Sequence, residues 1–386
     1  MNVLIYNQSF FAISETFVHR QVLGLSRHHQ VTMLAYRFEN QDRFPVDVAK
    51  VPLRPYRNIL DMLITKVLRK LSGQHYGMSF LNQRFVSQLI KENKIDLIHA
   101  HFGPSGIDIL PVARQLNVPV VASFHGIDAA PAMLDNKEYE RKVQDLISYA
   151  SAVIIVSPHF KDTLKLDKHA SKVHLIPYGI DEQKFKPRTG ITSRAHGKVI
   201  IQHVGRLVPK KGVPDLIRVF GKLSEKYDDI ELRIIGDGPE MEMCKVLIAD
   251  LHLSEKVLLL GSQPHDAVSE KMHDADIYVL NSRIDDKGDM EGLPNSILEA
   301  MSMEKAVVST YHAGIPQAIQ NGENGLLVNE KDNDGLFAAL ESLIGNGPLR
   351  HRLGVAARKT VVSKFSAASM EASIQAVVAQ IPVHGR

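Results

Sequence analysis

Cysteine occurs once in the 386 residues. Cys244, inside "EMEMCKVLIAD", has no second thiol for a disulfide and no Cys or His at ligand spacing, so it reads as a small core hydrophobe. Long apolar runs are also missing, and none approaches the roughly 20 residues that cross a bilayer. The opening "MNVLIYNQSF" lacks the basic start and long apolar centre of a signal peptide, so a cytoplasmic protein is expected. Gly and Pro, 25 and 18 residues, are too few for a disordered or fibrous chain. No short repeat or low-complexity tract is evident. Net charge is only +3, but it is unevenly spread: residues 1–180 carry 21 Lys/Arg against 15 Asp/Glu, and residues 181–386 carry 25 against 28. Between Lys50 and Lys94, nine Lys/Arg meet only Asp61 and Glu92. Such a surface attracts an anionic partner, whether nucleic acid, membrane or phosphorylated substrate.

What is present is alternation. A chain of this length exceeds one core, so two domains are expected. The candidate strands are "NVLIY", "QVTMLAY", "DLIHAHF", "VPVVASF", "AVIIVS" and "KVHLIP", then "KVIIQHVG", "IELRIIG", "KVLLLG", "DIYVLNS", "AVVST" and "GLLV". Amphipathic segments lie between most of them; "GVPDLIRVFGKLSEKY" sets Leu216, Val219, Phe220 and Leu223 at helical spacing. Strands buried on both faces and separated by helices read as doubly wound parallel α/β sheets of about six strands each. The polar "YGIDEQKFKPRTGITSRAHGK" is the linker, giving domains 1–185 and 186–365, with a C-terminal helix about 366–386 expected to pack back on the first. Two Rossmann-like domains facing each other across a cleft are expected, with ligands beyond the carboxyl ends of the strands.

The chemistry-bearing residues fall just after strands. "GRLVPKKG" places Arg206 and Lys211 before a helix near Val213, where a planar fork and a point charge suit a diphosphate. A solvated basic loop is the competing reading. "IIGDGPE" has Gly236 and Gly238 but Met241 where a dinucleotide fingerprint needs Gly or Ala, so the two glycines read as a tight strand-to-helix turn. In "EGLPNSILEAM", Pro294 marks a helix start that Asn295 or Ser296 can cap. Glu299 lies one turn in, at a position where an ionised carboxylate needs a partner, and Glu291 precedes the helix. "ASFHGID" leaves His125 and Asp128 after a strand, and "DLIHAHFGPSG" sets His99 and His101 two apart with no third ligand. No metal is assigned there, nor at "DAD" (Asp274–Asp276) or "DDKGD" (Asp285–Asp289).

"HVGRLVPKKG", "IIGDGPE", "EGLPNSILEAM" and "AGIPQAIQNGENGLLV", in that order and spacing, resemble the second domain of family 4 glycosyltransferases of the GT-B fold. "LIPYGIDEQKFKP" resembles the entry into that domain, and "MNVLIYNQSFFAISETFVHRQ" with "ASFHGID" resembles the first domain of one branch. The resemblance implies a hexosyltransferase that moves a sugar from a nucleotide diphosphate with retention of configuration. It needs no cofactor or bound metal, and a UDP-sugar is favoured over a GDP-sugar. It implies an acceptor-binding first domain and a nucleotide-sugar-binding second. Arg206 and Lys211 would hold the diphosphate, Glu299 the ribose and Glu291 the donor sugar, with His125 at the sugar or reaction centre. Gly292, Leu293, Pro294, Asn295, Gly236 and Gly238 would line the donor site; Ser14, Glu15, His101 and Asp128 would form first-domain loops on the acceptor side.

This sequence departs from the family pattern in four places. "NQSFFAISET" has no glycine after the first strand; Lys305 and Ala306 in "MSMEKAVVS" replace the usual Gly and Pro; the usual Gly-Gly turn is Ala313-Gly314; and Gln317 stands for an acid. These leave the donor sugar open. A sugar phosphorylase, a nucleotide-sugar epimerase and a silent glycan-binding protein remain competing readings.

For the acceptor, a glycan or a lipid-linked glycan is expected, with no nucleic acid partner. "NILDMLITKVLRKLSG" forms a basic amphipathic helix, with Leu60, Leu63, Ile64, Val67, Leu68 and Leu71 on one stripe flanked by Lys66, Arg69 and Lys70. Packing of that stripe on its own domain is expected, over contact with an anionic membrane at the inner face of the cell membrane.

Overall fold

A computed structural model describes residues 1–12, 16–72, 77–129, 131–188, 197–286 and 288–382. The chain divides into two compact units, Met1–Gly179 together with Met370–Arg386, and Ile180–Ser369. No helix among the described residues is long and apolar enough to cross a membrane.

The first unit is built on a parallel sheet of seven strands, in the order Ala49–Pro52, Gln30–Ala35, Asn2–Tyr6, Leu97–His101, Val120–Phe124, Ala152–Ile155, Val173–Leu175. Leu97–His101, Val120–Phe124 and Ala152–Ile155 are buried at every position, which is why, His99, His101 and Ser123 apart, they read as apolar runs rather than alternations. The helix Ala367–Ala379 adds Met370, Ile374, Val377 and Val378 to this core. Ala49–Pro52 is a seventh strand beyond the six legible in the sequence. It is a short, partly exposed edge with no apolar run to announce it. A further parallel pairing joins Ser9–Phe10 to Arg37–Phe38.

The second unit has six parallel strands, ordered Val257–Leu259, Ile230–Ile235, Val199–Val204, Ile277–Leu280, Ala306–Thr310, Leu326–Val328. Its helix Val213–Ser224 buries Leu216, Val219, Phe220 and Leu223, the face its spacing predicts. In both units the first strand lies between the second and the fourth. The sheet order therefore reverses between Asn2–Tyr6 and Leu97–His101, and again between Val199–Val204 and Ile277–Leu280. Open α/β sheets bind ligands beyond the carboxyl ends of the strands at such reversals.

One helix contradicts the pattern of its sequence. Ile59–Ser72 turns its apolar stripe outward: Leu60 is 63% exposed, Leu63 52%, Val67 56%, Leu68 50% and Leu71 80%. The expected packing of this stripe on its own domain is wrong. The reason lies on the opposite face, where Asp61 and Thr65 are buried. The Asp61 carboxylate accepts hydrogen bonds from the backbone N–H groups of Arg57 (2.8 Å) and Leu81 (3.0 Å) and from Ser79 Oγ (2.6 Å). Burial works to raise this carboxyl, yet these bonds outweigh it and hold it below its ordinary value. Rotating the helix to bury the leucines would break all of them. We expect Asp61→Ala to cost about 1–3 kcal/mol in urea unfolding, the usual toll of orphaned buried donors, and to speed proteolysis within residues 59–72.

Candidate functional site

At the strand-order reversal of the second unit, two loops meet. One runs from Gly205 to Gly212 after the strand Val199–Val204; the other runs from Asn281 to Pro294 after Ile277–Leu280. The backbone ties them together: Arg283 N–H donates to Lys210 O (2.9 Å), and Asn281 Nδ2 donates to Gly212 O (3.2 Å). The first loop is also pressed against the turn after Ile230–Ile235. There Leu207 N–H donates to Asp237 O (3.0 Å) and Glu240 N–H to Leu207 O (3.1 Å). This approach explains Gly236 and Gly238. A Cβ at Gly236 would lie 1.8 Å from Gly205 O, with φ at +143, and one at Gly238 would lie 2.4 Å from Leu207 O.

Within this frame Lys211 Nζ lies 3.0 Å from Glu291 Oε1, and both side chains are almost wholly buried. Lys210 Nζ stands 3.9 Å from the same oxygen and 3.0 Å from Asp289 Oδ2. Burial pushes the Glu291 carboxyl up, but Lys211 and Lys210 outweigh it and keep it below its ordinary value, hence ionised. The Glu291 backbone is fixed as well. Its N–H donates to His312 Nε2 (2.9 Å), so the other ring nitrogen, Nδ1, carries the proton facing Glu330 Oε1 at 2.6 Å. Gly314 N–H donates to Gly292 O (2.9 Å), pinning the next residue. In that turn Ala313 holds φ +43, the left-handed conformation that favours glycine, while Gly314 does not. Likewise the left-handed residue of "MSMEKAVVS" is Glu304, at φ +58, one before Lys305, where the resemblance put the missing glycine.

The helix after this loop is Asn295–Ser302. Pro294 occupies its cap position and no side chain caps it. The expected cap by Asn295 or Ser296 is therefore corrected: Asn295 is already helical, and Ser296 Oγ accepts from Tyr278 OH (2.7 Å). An uncapped helix start presents free N–H groups, the arrangement that suits an anion. The Leu293 side chain is packed in the core, so any contact it makes with a ligand is through its backbone. Glu299, one turn in, is buried with Oε1 3.1 Å from His265 Nε2. Arg206 is exposed, and its side chain makes no ion pair or hydrogen bond among the described residues. Lys211, Glu291 and the start of Asn295–Ser302 thus belong to one set of interlocked loops. Lys210, inside "GRLVPKKG", completes it with His265, His312 and Glu330; for these three the place of His312 just before the Ala313-Gly314 turn was the one signal in the sequence.

In the first unit His99, His101 and His125 form a buried stack at the ends of Leu97–His101 and Val120–Phe124. His101 Nδ1 lies 3.0 Å from His125 Nε2, and His99 Nε2 lies 2.8 Å from Ser123 Oγ. Asp128 accepts from the backbone N–H groups of His125, Gly126 and Gly103, at 3.0, 2.8 and 3.0 Å. Burial raises the Asp128 carboxyl while these bonds oppose the rise. Its role here is to shape the loop that carries His125. Ser14 and Glu15 lie outside the described residues.

Comparison with known proteins agrees with this layout. The family model described as Glycosyl transferases group 1 matches residues 188–360, and that described as Glycosyltransferase Family 4 matches residues 14–184. WcaL of Escherichia coli, whose name assigns it to colanic acid biosynthesis, is 30% identical over 78% of this chain and 75% of its own. The amylovoran biosynthesis glycosyltransferase AmsK of Erwinia amylovora is 30% identical over 80% of this chain and 77% of its own. The solved structure of Anabaena HepE in complex with UDP superposes with a TM-score of 0.80 at 19% identity, covering 99% of this chain and 100% of that one. The likeness to HepE shows a shared fold.

The buried histidines make stability pH-dependent. Burial pulls His99 down to about 4 and His125 and His203 to about 3, and holds His101 well below the ordinary 6.5. The unfolded chain takes up these protons near 6.5 and the folded chain does not. Stability is therefore full above about 6.5 and falls as pH drops toward 4, by up to about 1.4 kcal/mol per pH unit for each histidine. The urea midpoint should be lower at pH 5 than at pH 7, with a shallower dependence in His203→Gln; an identical midpoint at both pH values would contradict this.

Proposed function

The chain belongs to glycosyltransferase family 4 and works in glycoconjugate biosynthesis, and on that premise we propose that it moves a sugar from a nucleotide diphosphate to a glycan or lipid-linked acceptor, with retention of configuration. The buried Lys211–Glu291 pair beside the uncapped start of Asn295–Ser302 carries this reading. Lys211 and Arg206 take the diphosphate and, with the helix N–H groups, neutralise the charge that grows on the leaving phosphate. These cationic groups supply what a metal ion otherwise would, so the transfer is metal-independent. Glu291, held ionised by Lys211, receives hydroxyls of the donor sugar. Glu299 keeps one oxygen on His265 and offers the other to the ribose. His125 serves at the sugar or reaction centre, as the family resemblance implies, with His101 behind it. Because HepE is seen with UDP, a UDP-sugar is the first donor to test.

We place the reaction in the cytoplasm, at the inner face of the membrane when the acceptor is lipid-linked. The basic excess between Lys50 and Lys94 supports contact with anionic lipid.

The test pairs a thermal-shift panel of UDP-, GDP- and ADP-sugars with mass spectrometry of products on candidate acceptors. One nucleotide class should raise the melting temperature, and Glu299→Ala should abolish that rise. Arg206→Ala and Lys211→Ala should each lower turnover about 10²–10³-fold while remaining folded. Unchanged turnover in both overturns the diphosphate assignment. A requirement for inorganic phosphate, or conversion of the donor with no acceptor present, identifies a phosphorylase or an epimerase instead.

A further inference from the structure

The loop that leaves Ile277–Leu280 is gripped at both of its ends. Residues at alternate positions from the end of the neighbouring strand Ala306–Thr310 take hold of it in turn. Thr310 Oγ1 donates to Ser282 O (2.6 Å), His312 accepts from Glu291 N–H, and Gly314 N–H donates to Gly292 O. Glu330, just beyond the last strand Leu326–Val328, adds a further grip. Its Oε2 accepts from Ile284 N–H (2.9 Å), while its Oε1 faces His312 Nδ1. One carboxylate thus reaches both ends of the segment 284–291, one directly and the other through an imidazole.

The donors and acceptors fix this arrangement. Backbone N–H groups only donate, so Ile284 needs an oxygen and Glu291 needs an unprotonated ring nitrogen. A neutral imidazole has one nitrogen of each kind, which puts its hydrogen on Nδ1 and calls for a second acceptor there. A carboxylate accepts at both oxygens, whereas an amide of the same shape accepts at one. His312 is only 1% exposed, which leaves bulk water no access to replace either bond.

Between its ends the segment is closed on itself. Asp289 N–H donates to Asp285 Oδ1 (2.9 Å), and Asp285 N–H donates to Asp289 O (3.1 Å). Lys210 Nζ donates to Asp289 Oδ1 (3.1 Å) and to Met290 O (3.3 Å), so this lysine secures the loop while its neighbour Lys211 faces the Glu291 carboxylate. None of the ties of this segment uses Arg206, Glu299 or the start of Asn295–Ser302, the groups assigned to the nucleotide. Sugar and nucleotide ends of the site are held by separate sets of bonds, joined at Lys211.

We propose that Glu330 and His312 are positioning residues for the donor sugar. They act through the backbone of Glu291 and set where its carboxylate meets the sugar, without adding to the hold on the nucleoside diphosphate. The inference rests on the donor-sugar role given to Glu291 above.

Three variants separate this from a packing role. Glu330→Gln keeps the shape but accepts from only one of its two donors. His312→Phe keeps a ring without nitrogens, and His312→Gln restores one acceptor and one donor. Glu330 is 25% exposed, so its variant folds even where those of His312 do not. Release of nucleoside diphosphate is followed from UDP-glucose, GDP-mannose and ADP-glucose, and the variants are compared on whichever the wild type turns over fastest. The kcat/KM should fall about 10–100-fold in Glu330→Gln and His312→Phe, and His312→Gln should recover most of it. Calorimetric affinity for the matching free UDP, GDP or ADP should change by less than about threefold. Nitrogen NMR of the wild type at about pH 8.5 should find the His312 hydrogen on Nδ1. In Glu330→Gln the N–H of Ile284 or of Glu291 should exchange at least about tenfold faster. Wild-type kcat/KM in Glu330→Gln overturns the proposal, as does a hydrogen on Nε2, unchanged exchange at both amides, or nucleotide affinity that falls in step with kcat/KM. A phenylalanine variant more active than the glutamine variant at His312 assigns that residue to packing and overturns it too. If the wild type releases nothing from any of the three donors, the donor reading fails and this inference with it; loss of the variant effects alone leaves the donor reading standing.

Discussion

An ammonium and a carboxylate almost removed from water, Lys211 and Glu291, join two functional loops of the second unit. Either charge is costly there alone, because desolvating an unpaired ion costs several kcal/mol. The pair therefore demands that the loop after Val199–Val204 and the loop after Ile277–Leu280 stay in register. Their cross-bonds, Arg283 to Lys210 and Asn281 to Gly212, supply that register. His312 and Glu330 extend the constraint to the Glu291 backbone. A cation, an anion and a helix start are in this way set before any ligand arrives, and such preorganisation is what makes charge stabilisation effective in a reaction.

The two units use one topology for different ends. At the strand-order reversal of the second, the loops are cationic and closely laced. At that of the first, a cavity with arginines, tyrosines and a buried aspartate adjoins a helix whose leucines face outward. A similar contrast marks their buried histidines. His203 lies near Lys211, whose charge adds to burial in keeping it neutral, whereas burial keeps His99 neutral, and burial together with neighbouring histidines keeps His101 and His125 so.

Much of this was legible in the chain. Buried parallel strands leave short apolar runs rich in Val and Ile, so the twelve strands that the sequence offers are legible from composition. Gly236 and Gly238 announced a tight strand-to-helix turn, though not the loop after Val199–Val204 that presses against it. What was hidden shares one cause, the dependence on partners distant in sequence. Ala49–Pro52 is a strand because Gln30–Ala35 accepts it at an edge, not because its residues favour one. Helix Ile59–Ser72 faces outward because Ser79 and Leu81 bind Asp61. His312 and Glu330 matter through a backbone N–H contributed some twenty residues earlier. Asn295 is a different, local case: its type favours a cap, but its neighbour Pro294 already occupies that place.

The central claim is that Lys211 exchanges part of its hold on Glu291 for a diphosphate. Calorimetric titration of UDP and of uridine into the wild type and Lys211→Met tests this most directly. The expected result is that UDP affinity falls about 10–100-fold in the variant, the value of a charge-assisted contact, while uridine affinity is unchanged. Equal UDP affinity in the two proteins, with the variant folded, would contradict it.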